Sequence, residues 1–184
     1  ENFSSYKNII EFCMNKKVKS LVFASSSAVY GNSIKKNFEK NTKINAFENF
    51  NLSPYAISKK MMEVYSNAFK TNFPIISLRY FNVFGPGQKI IGNNLPIISN
   101  WINLMINSKK LILKGDGSAT RNFIYIDDVV NSNILSAFKL KKNYVINICS
   151  SKCINLANLL MLFKKLNKKL NISKNISIKR IKLN

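Results

Sequence analysis

Val18-Lys19-Ser20-Leu21-Val22-Phe23-Ala24-Ser25-Ser26-Ser27-Ala28-Val29-Tyr30-Gly31 begins as an apolar run and ends in a serine-rich corner. Val18 to Ala24 suits a strand of a parallel sheet covered on both faces, where side chains need not alternate. Ligands of open α/β sheets bind at the carboxyl ends of such strands, which is where the serines stand. Downstream comes Leu52-Ser53-Pro54-Tyr55-Ala56-Ile57-Ser58-Lys59. Ser53 reads as an N-cap and Pro54 as the first helical residue. Tyr55 and Lys59 then stand at i and i+4, so phenol and ammonium share a helix face. A neighbouring lysine charge favours a phenolate over the phenol, whose reference pKa is about 10. A tyrosine so placed can move protons near neutral pH. The chain has no histidine, which makes the tyrosine the candidate base.

The rest of the chain alternates strand-like and helical patterns. Ile9, Ile10, Cys13 and Met14 have helical spacing within 2–16. The helix from Pro54 is expected to run to about Thr71, with Met61, Val64, Tyr65, Ala68 and Phe69 as its apolar stripe. Pro74–Tyr80 reads as the next buried strand, and 81–87 as a turn-rich loop. Beyond it the spacing predicts a helix over 94–108 carrying Trp101, a short strand at 111–113, a turn at Gly115-Asp116-Gly117 and a strand at 122–126. A helix starting at Asp127-Asp128 follows, with apolar Val129, Val130, Ile134, Leu135 and Phe138, and acidic residues at its positive end. Tyr144–Ile148 reads as a strand and Leu156–Leu166 as a helix. Asn32–Asn51 is polar and aperiodic, a surface loop. This alternation defines an α/β class.

Composition narrows the function classes. At 46% hydrophobic residues in 184, the chain can bury a core and is not globally disordered. No apolar run reaches the roughly 18–20 residues of a membrane span, and no signal peptide is visible. Cys13, Cys149 and Cys153 do not make a disulfide scaffold and, without histidine, make no common zinc set. They read as buried reduced thiols of a cytoplasmic protein; no metal is expected. Net charge is +21, which suits nucleic acid, anionic lipid or a phosphate-bearing substrate. Only Arg79, Arg121 and Arg180 are arginines, whereas base readout leans on the arginine fork. The dispersed lysines among Asn and Ile match an A/T-rich coding bias. Lys164–Lys182 reads as a polar helix face and a tail.

Four motifs stand in order: Ser25-Ser26-Ser27-Ala28-Val29-Tyr30-Gly31, then Ser53-Pro54-Tyr55-Ala56-Ile57-Ser58-Lys59, then Arg79-Tyr80-Phe81-Asn82-Val83-Phe84-Gly85-Pro86, then the run from Gly115 to Val129 that contains Arg121-Asn122-Phe123-Ile124-Tyr125-Ile126-Asp127-Asp128. Together they resemble the extended short-chain dehydrogenase/reductase family, and within it the NAD-dependent nucleotide-sugar epimerases and dehydratases. The wording is most similar to UDP-hexose and UDP-N-acetylhexosamine 4-epimerases. The resemblance implies a partial NAD(P)-binding Rossmann-type parallel sheet with helices over 1–87. Over 88–184 it implies part of a smaller α/β substrate-binding domain, with some segments returning to the first.

The resemblance also implies roles. Ser26 matches the catalytic serine or threonine, Tyr55 the base, and Lys59 its partner on the nicotinamide ribose. Ser25 falls on the cofactor side and Ser27 on the substrate side. Asn82 matches a contact to the nucleotide diphosphate, Asn94 and Leu95 line the nucleotide pocket, and Arg121 matches a phosphate-binding arginine suited to a bidentate fork. Ion pairing of Arg121 with Asp127 or Asp128, and turn capping by Asn82, are the structural alternatives. Family members that remove water or carbon dioxide carry a glutamate where this chain has Ala28. A methyl group moves no proton, so epimerisation is favoured over 4,6-dehydration or reduction. A non-catalytic basic module that binds phosphate or nucleic acid is the alternative of another class. Two helices, 2–16 and 54–71, match those through which family members pair as homodimers, with burial inside the monomer as the other reading. The glycine-rich turn that cradles the NAD pyrophosphate has no counterpart, because the first glycine is Gly31. The chain is therefore read as a piece of a longer enzyme, weak or inactive alone.

Overall fold

The computed structural model describes residues 2–31, 52–89, 95–172 and 177–181. The loop expected at Asn32–Asn51, and Asn94, lie outside the described residues. The described elements form two compact units, one of residues 1–81 and 127–148, the other of 82–126 and 149–184.

The first unit is built around a three-stranded parallel sheet of β1 (Leu21–Ser26), β2 (Ile75–Tyr80) and a third strand, Tyr144–Ile148. The central position of β2 explains its composition: Ile75, Ile76, Ser77, Leu78 and Arg79 are all buried. In register, Ser26 stands beside Tyr80. Helix α1 (Asn2–Asn15) buries Tyr6, Ile10 and Cys13, an i, i+4, i+7 stripe. These pack with Phe23, Met62, Phe73 and Ile75 into one core. Helix α2 (Pro54–Ala68) completes that face, with the Ser53 hydroxyl accepting from the Ala56 N–H at 3.2 Å.

The buried face of α2 differs from the expected stripe. Ala56, Met62, Glu63 and Ser66 are buried, while Met61 and Ala68 are exposed. Ranking by hydropathy alone placed the stripe on a neighbouring face, because two inward positions are polar. The Tyr6 and Ser66 hydroxyls bond each other, and Glu63 has the partners given below.

Later elements add a short strand where a loop was expected, β3 (Asn82–Phe84), then α3 (Ile97–Ile106), β4 (Leu111–Lys114), β5 (Thr120–Tyr125) and α4 (Ile126–Lys139). The chain continues through β6, the Tyr144–Ile148 strand, to β7 (Cys153–Asn155), α5 (Leu156–Leu170) and β8 (Ile178–Ile181). Strand β8 lies in the lysine-rich stretch read as helix and tail, and pairs parallel with β4.

In the first unit, the Tyr80 hydroxyl donates to Asn133 on α4 at 2.8 Å, and the Ser20 hydroxyl to the Ala137 carbonyl at 2.9 Å. These bonds hold α4 across the sheet with Val129 and Ser136 inward. The expected apolar face is thereby corrected: Val130, Ile134, Leu135 and Phe138 are exposed. In the second unit, β3 pairs parallel with β5, which pairs antiparallel with β7. Trp101, fully buried, sits edge-on to Phe163 and donates its indole N–H to the Ile112 carbonyl at 3.0 Å. Of the three cysteines only Cys13 is buried; Cys149 is half-buried and Cys153 exposed. No described helix is long and apolar enough to cross a membrane.

Candidate active site

The serine corner forms because β1 cannot continue. Ser26 has extended backbone, and its side chain accepts the Ala28 N–H at 3.2 Å, capping a single 3₁₀ turn over Ser27–Tyr30. A hydroxyl oxygen used as an acceptor still has its own proton to give, so Ser26 can donate to a ligand oxygen. Ser25 points the other way. It is buried and its hydroxyl donates to Glu63 on α2. Strand alternation sends the Ser25 side chain into the protein, so its hydroxyl is not free for the expected cofactor contact. Ser27 and Ala28 are half-buried in the turn.

Tyr55 is half-exposed in the first turn of α2. Lys59 lies one turn on, with its ammonium 5.9 Å from the Tyr55 ring centroid. The Lys59 Nζ donates to the Ala24 carbonyl oxygen at 2.8 Å. Burial lowers the Lys59 pKa from the ordinary 10.5, because a partly desolvated ammonium gives up its proton more easily. Ser26, Tyr55 and Lys59 thus belong to one unit and to the carboxyl end of β1 with the start of α2.

Four residues with no site role expected from the sequence, Glu63, Arg79, Tyr30 and Asn147, complete this region. Arg79 and Glu63 form a buried ion pair, with Nη2 to Oε2 at 2.7 Å and Nε to Oε1 at 2.9 Å. Burial works against the Arg79 charge, but the bonds and charge of Glu63 outweigh it and the pKa rises. Arg79 Nη1 donates to the Tyr30 hydroxyl at 2.8 Å, which donates to Asn147 Oδ1 at 2.7 Å. The signal was available: an arginine inside an otherwise apolar strand requires a buried acid.

Asn82, Leu95 and Arg121 belong to the second unit. Asn82 donates from Nδ2 to the Asn122 carbonyl at 2.7 Å, a bond between β3 and β5 that leaves its side-chain oxygen as acceptor. Gln88 steadies the stretch after it, donating to the Val83 carbonyl at 2.9 Å and accepting from Ser99 at 2.6 Å. Arg121 is exposed and donates from Nη1 to the Thr120 carbonyl at 2.8 Å. Among the described residues it makes no ion pair. Leu95 is half-buried immediately before α3.

Several known proteins are similar to this chain over most of its length. The ADP-L-glycero-D-manno-heptose-6-epimerase of Brachyspira hyodysenteriae is 35% identical over 137 residues, covering 72% of this chain and 41% of that protein. The UDP-N-acetylglucosamine 4-epimerase of Methanobrevibacter ruminantium M1, solved with UDP-N-acetylmuramic acid, superposes with a TM-score of 0.79 at 31% identity, covering 100% of this chain and 56% of that one. The UDP-glucuronic acid 4-epimerase of Bacillus cereus, solved with NAD, gives 0.76 at 27%, covering 99% and 56%. The chain thus spans about half the length of the relatives it matches. Its residues 1–149 match the model of one family. The chain belongs to the NAD dependent epimerase/dehydratase family.

Proposed function

We propose that this chain carries the catalytic centre of a UDP-hexose 4-epimerase, with UDP-glucose or UDP-N-acetylglucosamine as substrate class. The observation that supports this most is the bond from Lys59 to the Ala24 carbonyl. It sets the Tyr55–Lys59 face of α2 beside the strand end that carries Ser26.

In this reading Tyr55 takes the proton of the sugar 4-hydroxyl. Ser26 donates its hydroxyl proton to the same oxygen and relays protons. Lys59, fixed on Ala24, holds positive charge beside Tyr55 and reaches the nicotinamide ribose. Ser27 faces the sugar. Asn82 and Arg121 hold the diphosphate, the Arg121 fork matching a phosphate, and Asn94 and Leu95 line the nucleotide pocket. The chemistry that bound NAD supplies is reversible hydride exchange at C4 through a 4-keto sugar. The donor set fits the nicotinamide end of that cofactor: a phenol, a desolvated ammonium and a capped serine stand at the end of a parallel strand. The pyrophosphate cradle is not among these 184 residues, whose first glycine is Gly31. Ala28 leaves no carboxylate on the 3₁₀ turn for the water loss of a dehydratase.

Pairing of two copies through α1 and α2 belongs to the same reading, supported by the exposed apolar Ile9, Phe12, Ile57 and Met61 on those helices.

The test is an assay of the full product of this reading frame with UDP-glucose, UDP-galactose and their N-acetyl forms. A 4-epimer from at least one is expected. No epimer from any of them refutes the reading, and loss of water to a 4-keto-6-deoxy sugar would assign the dehydratase reaction instead.

A further inference from the structure

The Glu63–Arg79 pair grips the serine corner at both ends. Glu63 accepts from Ser25, the residue before Ser26. Arg79 donates to the hydroxyl of Tyr30, the last residue of the 3₁₀ turn, and lies over its ring at 4.8 Å. The same Glu63 stands one helical turn after Lys59 and two after Tyr55 on α2. A single ion pair therefore joins the strand end, the turn and the helix that carry Ser26, Tyr55 and Lys59.

The two side chains are 2% and 0% exposed. A buried pair of this kind is a weak source of stability, since apolar side chains of similar volume often replace it without loss. What the fork and carboxylate do impose is direction, because two parallel bonds accept one geometry. We propose that Glu63 and Arg79, with Tyr30, are positioning residues that fix the serine corner against Tyr55 and Lys59. Their role is the registry of the proton-transfer groups, and stability is secondary to it. This rests on the reading of Ser26, Tyr55 and Lys59 given above.

The paired variant Glu63→Leu/Arg79→Met tests it in the full product of the reading frame. We expect a melting temperature close to the parent's, a kcat lowered by roughly 10- to 100-fold and a KM for the UDP-sugar within about threefold, as for a misplacement of reacting groups. Amide exchange in the absence of substrate should accelerate at residues 26–30 while β2 stays protected. Arg79→Lys, which keeps the charge without the fork, and Tyr30→Phe, which removes one hydroxyl, should give smaller losses of kcat in the same direction. Parental kcat and parental exchange at the corner would overturn the proposal. So would a loss of kcat that merely follows a fall in melting temperature. Should the paired variant not fold, the two single variants decide: parental kcat and exchange in both overturn it. An active Tyr55→Phe variant would instead refute the reading of the site. An inactive Tyr55→Phe beside a fully active paired variant refutes only the positioning role.

Discussion

The Lys59 ammonium donates to the Ala24 carbonyl oxygen at 2.8 Å, and this bond ties α2 to the side of β1 that faces away from β2. Leu21 bonds back to the Pro74 carbonyl, so Leu21, Phe23 and Ser25 address β2 and Ala24 addresses the opposite side. Lys59 thus satisfies a β1 carbonyl that does not address β2 and remains close to Tyr55.

That placement predicts a pH dependence. Burial lowers the folded-state pKa of Lys59 below its ordinary 10.5. The folded protein therefore holds this proton less tightly than the unfolded chain. The resulting destabilisation is full near neutrality and fades as pH rises through the folded value toward 10.5. Lys59→Met removes it and also deletes the bond to Ala24, which contributes a constant offset. The melting temperature of the variant minus that of the parent should fall as pH is raised from about 7 to about 10.5. Thermal melts across that range check the slope; a difference that grows with pH contradicts burial as the cause.

Tyr55→Phe keeps the ring and deletes the hydroxyl. Half of the side chain is exposed, so stability should stay within about 0.5 kcal/mol of the parent. Loss of a proton-transfer group should lower kcat by about 10²- to 10⁴-fold. Interconversion of UDP-glucose and UDP-galactose by the full product of the reading frame measures this, with chemical denaturation as the control. A rate within tenfold of the parent, a factor small beside that range, removes Tyr55 from the chemistry.

The parallel sheet was legible because its strands are apolar runs between turn signals: Pro74–Tyr80 contains β2, while β1 starts inside Val18–Ala24 and runs on through Ser25 and Ser26, where a loop was expected. The α2 start was legible from Ser53-Pro54. What hydropathy could not order was the inward face of α2, since Glu63 and Ser66 are buried against polar partners from distant strands. Arg79 was read as the head of a motif and proved to be the counter-ion of Glu63. Strands β3, β7 and β8 have three or four residues each, too short for a period to show. Hydropathy marked the apolar period of α4 but not which side meets the sheet; that side is set by the polar contacts of Asn133 and Ala137.

Arg121 is exposed and has no carboxylate partner among the described residues. Replacing the fork with an amide, Arg121→Gln, should raise the KM for the UDP-sugar by at least about tenfold, the weight of one charge-assisted bond. The side chain is exposed and, among the described residues, donates to its neighbour's carbonyl, so melting temperature should hardly move. Initial-rate kinetics and a melt on the same preparation separate the two effects. An unchanged KM excludes Arg121 from phosphate binding.

Gly85 and Gly87 flank Pro86 directly after β3, yet they should respond differently to a methyl group. A Cβ on Gly85 would lie 2.4 Å from Cγ2 and 2.9 Å from Cβ of Ile126, the first residue of α4. Isoleucine is stiff at χ1 and cannot swing clear, so the backbone must shift, at a cost of about 1–3 kcal/mol. A Cβ on Gly87 would meet nothing within 4 Å, but φ is +79° there, and an L-residue in that region loses roughly 1 kcal/mol. Gly85→Ala should therefore be the more destabilising of the two in urea unfolding. Combining it with Ile126→Ala should recover part of the loss, because the nearer of the two clashing atoms is gone. The pairwise coupling should fall within about 0.5–3 kcal/mol, whereas Gly87→Ala should show none with the same partner. Equal losses at the two glycines, or additivity between Gly85 and Ile126, would show that the β3 loop does not press on the start of α4.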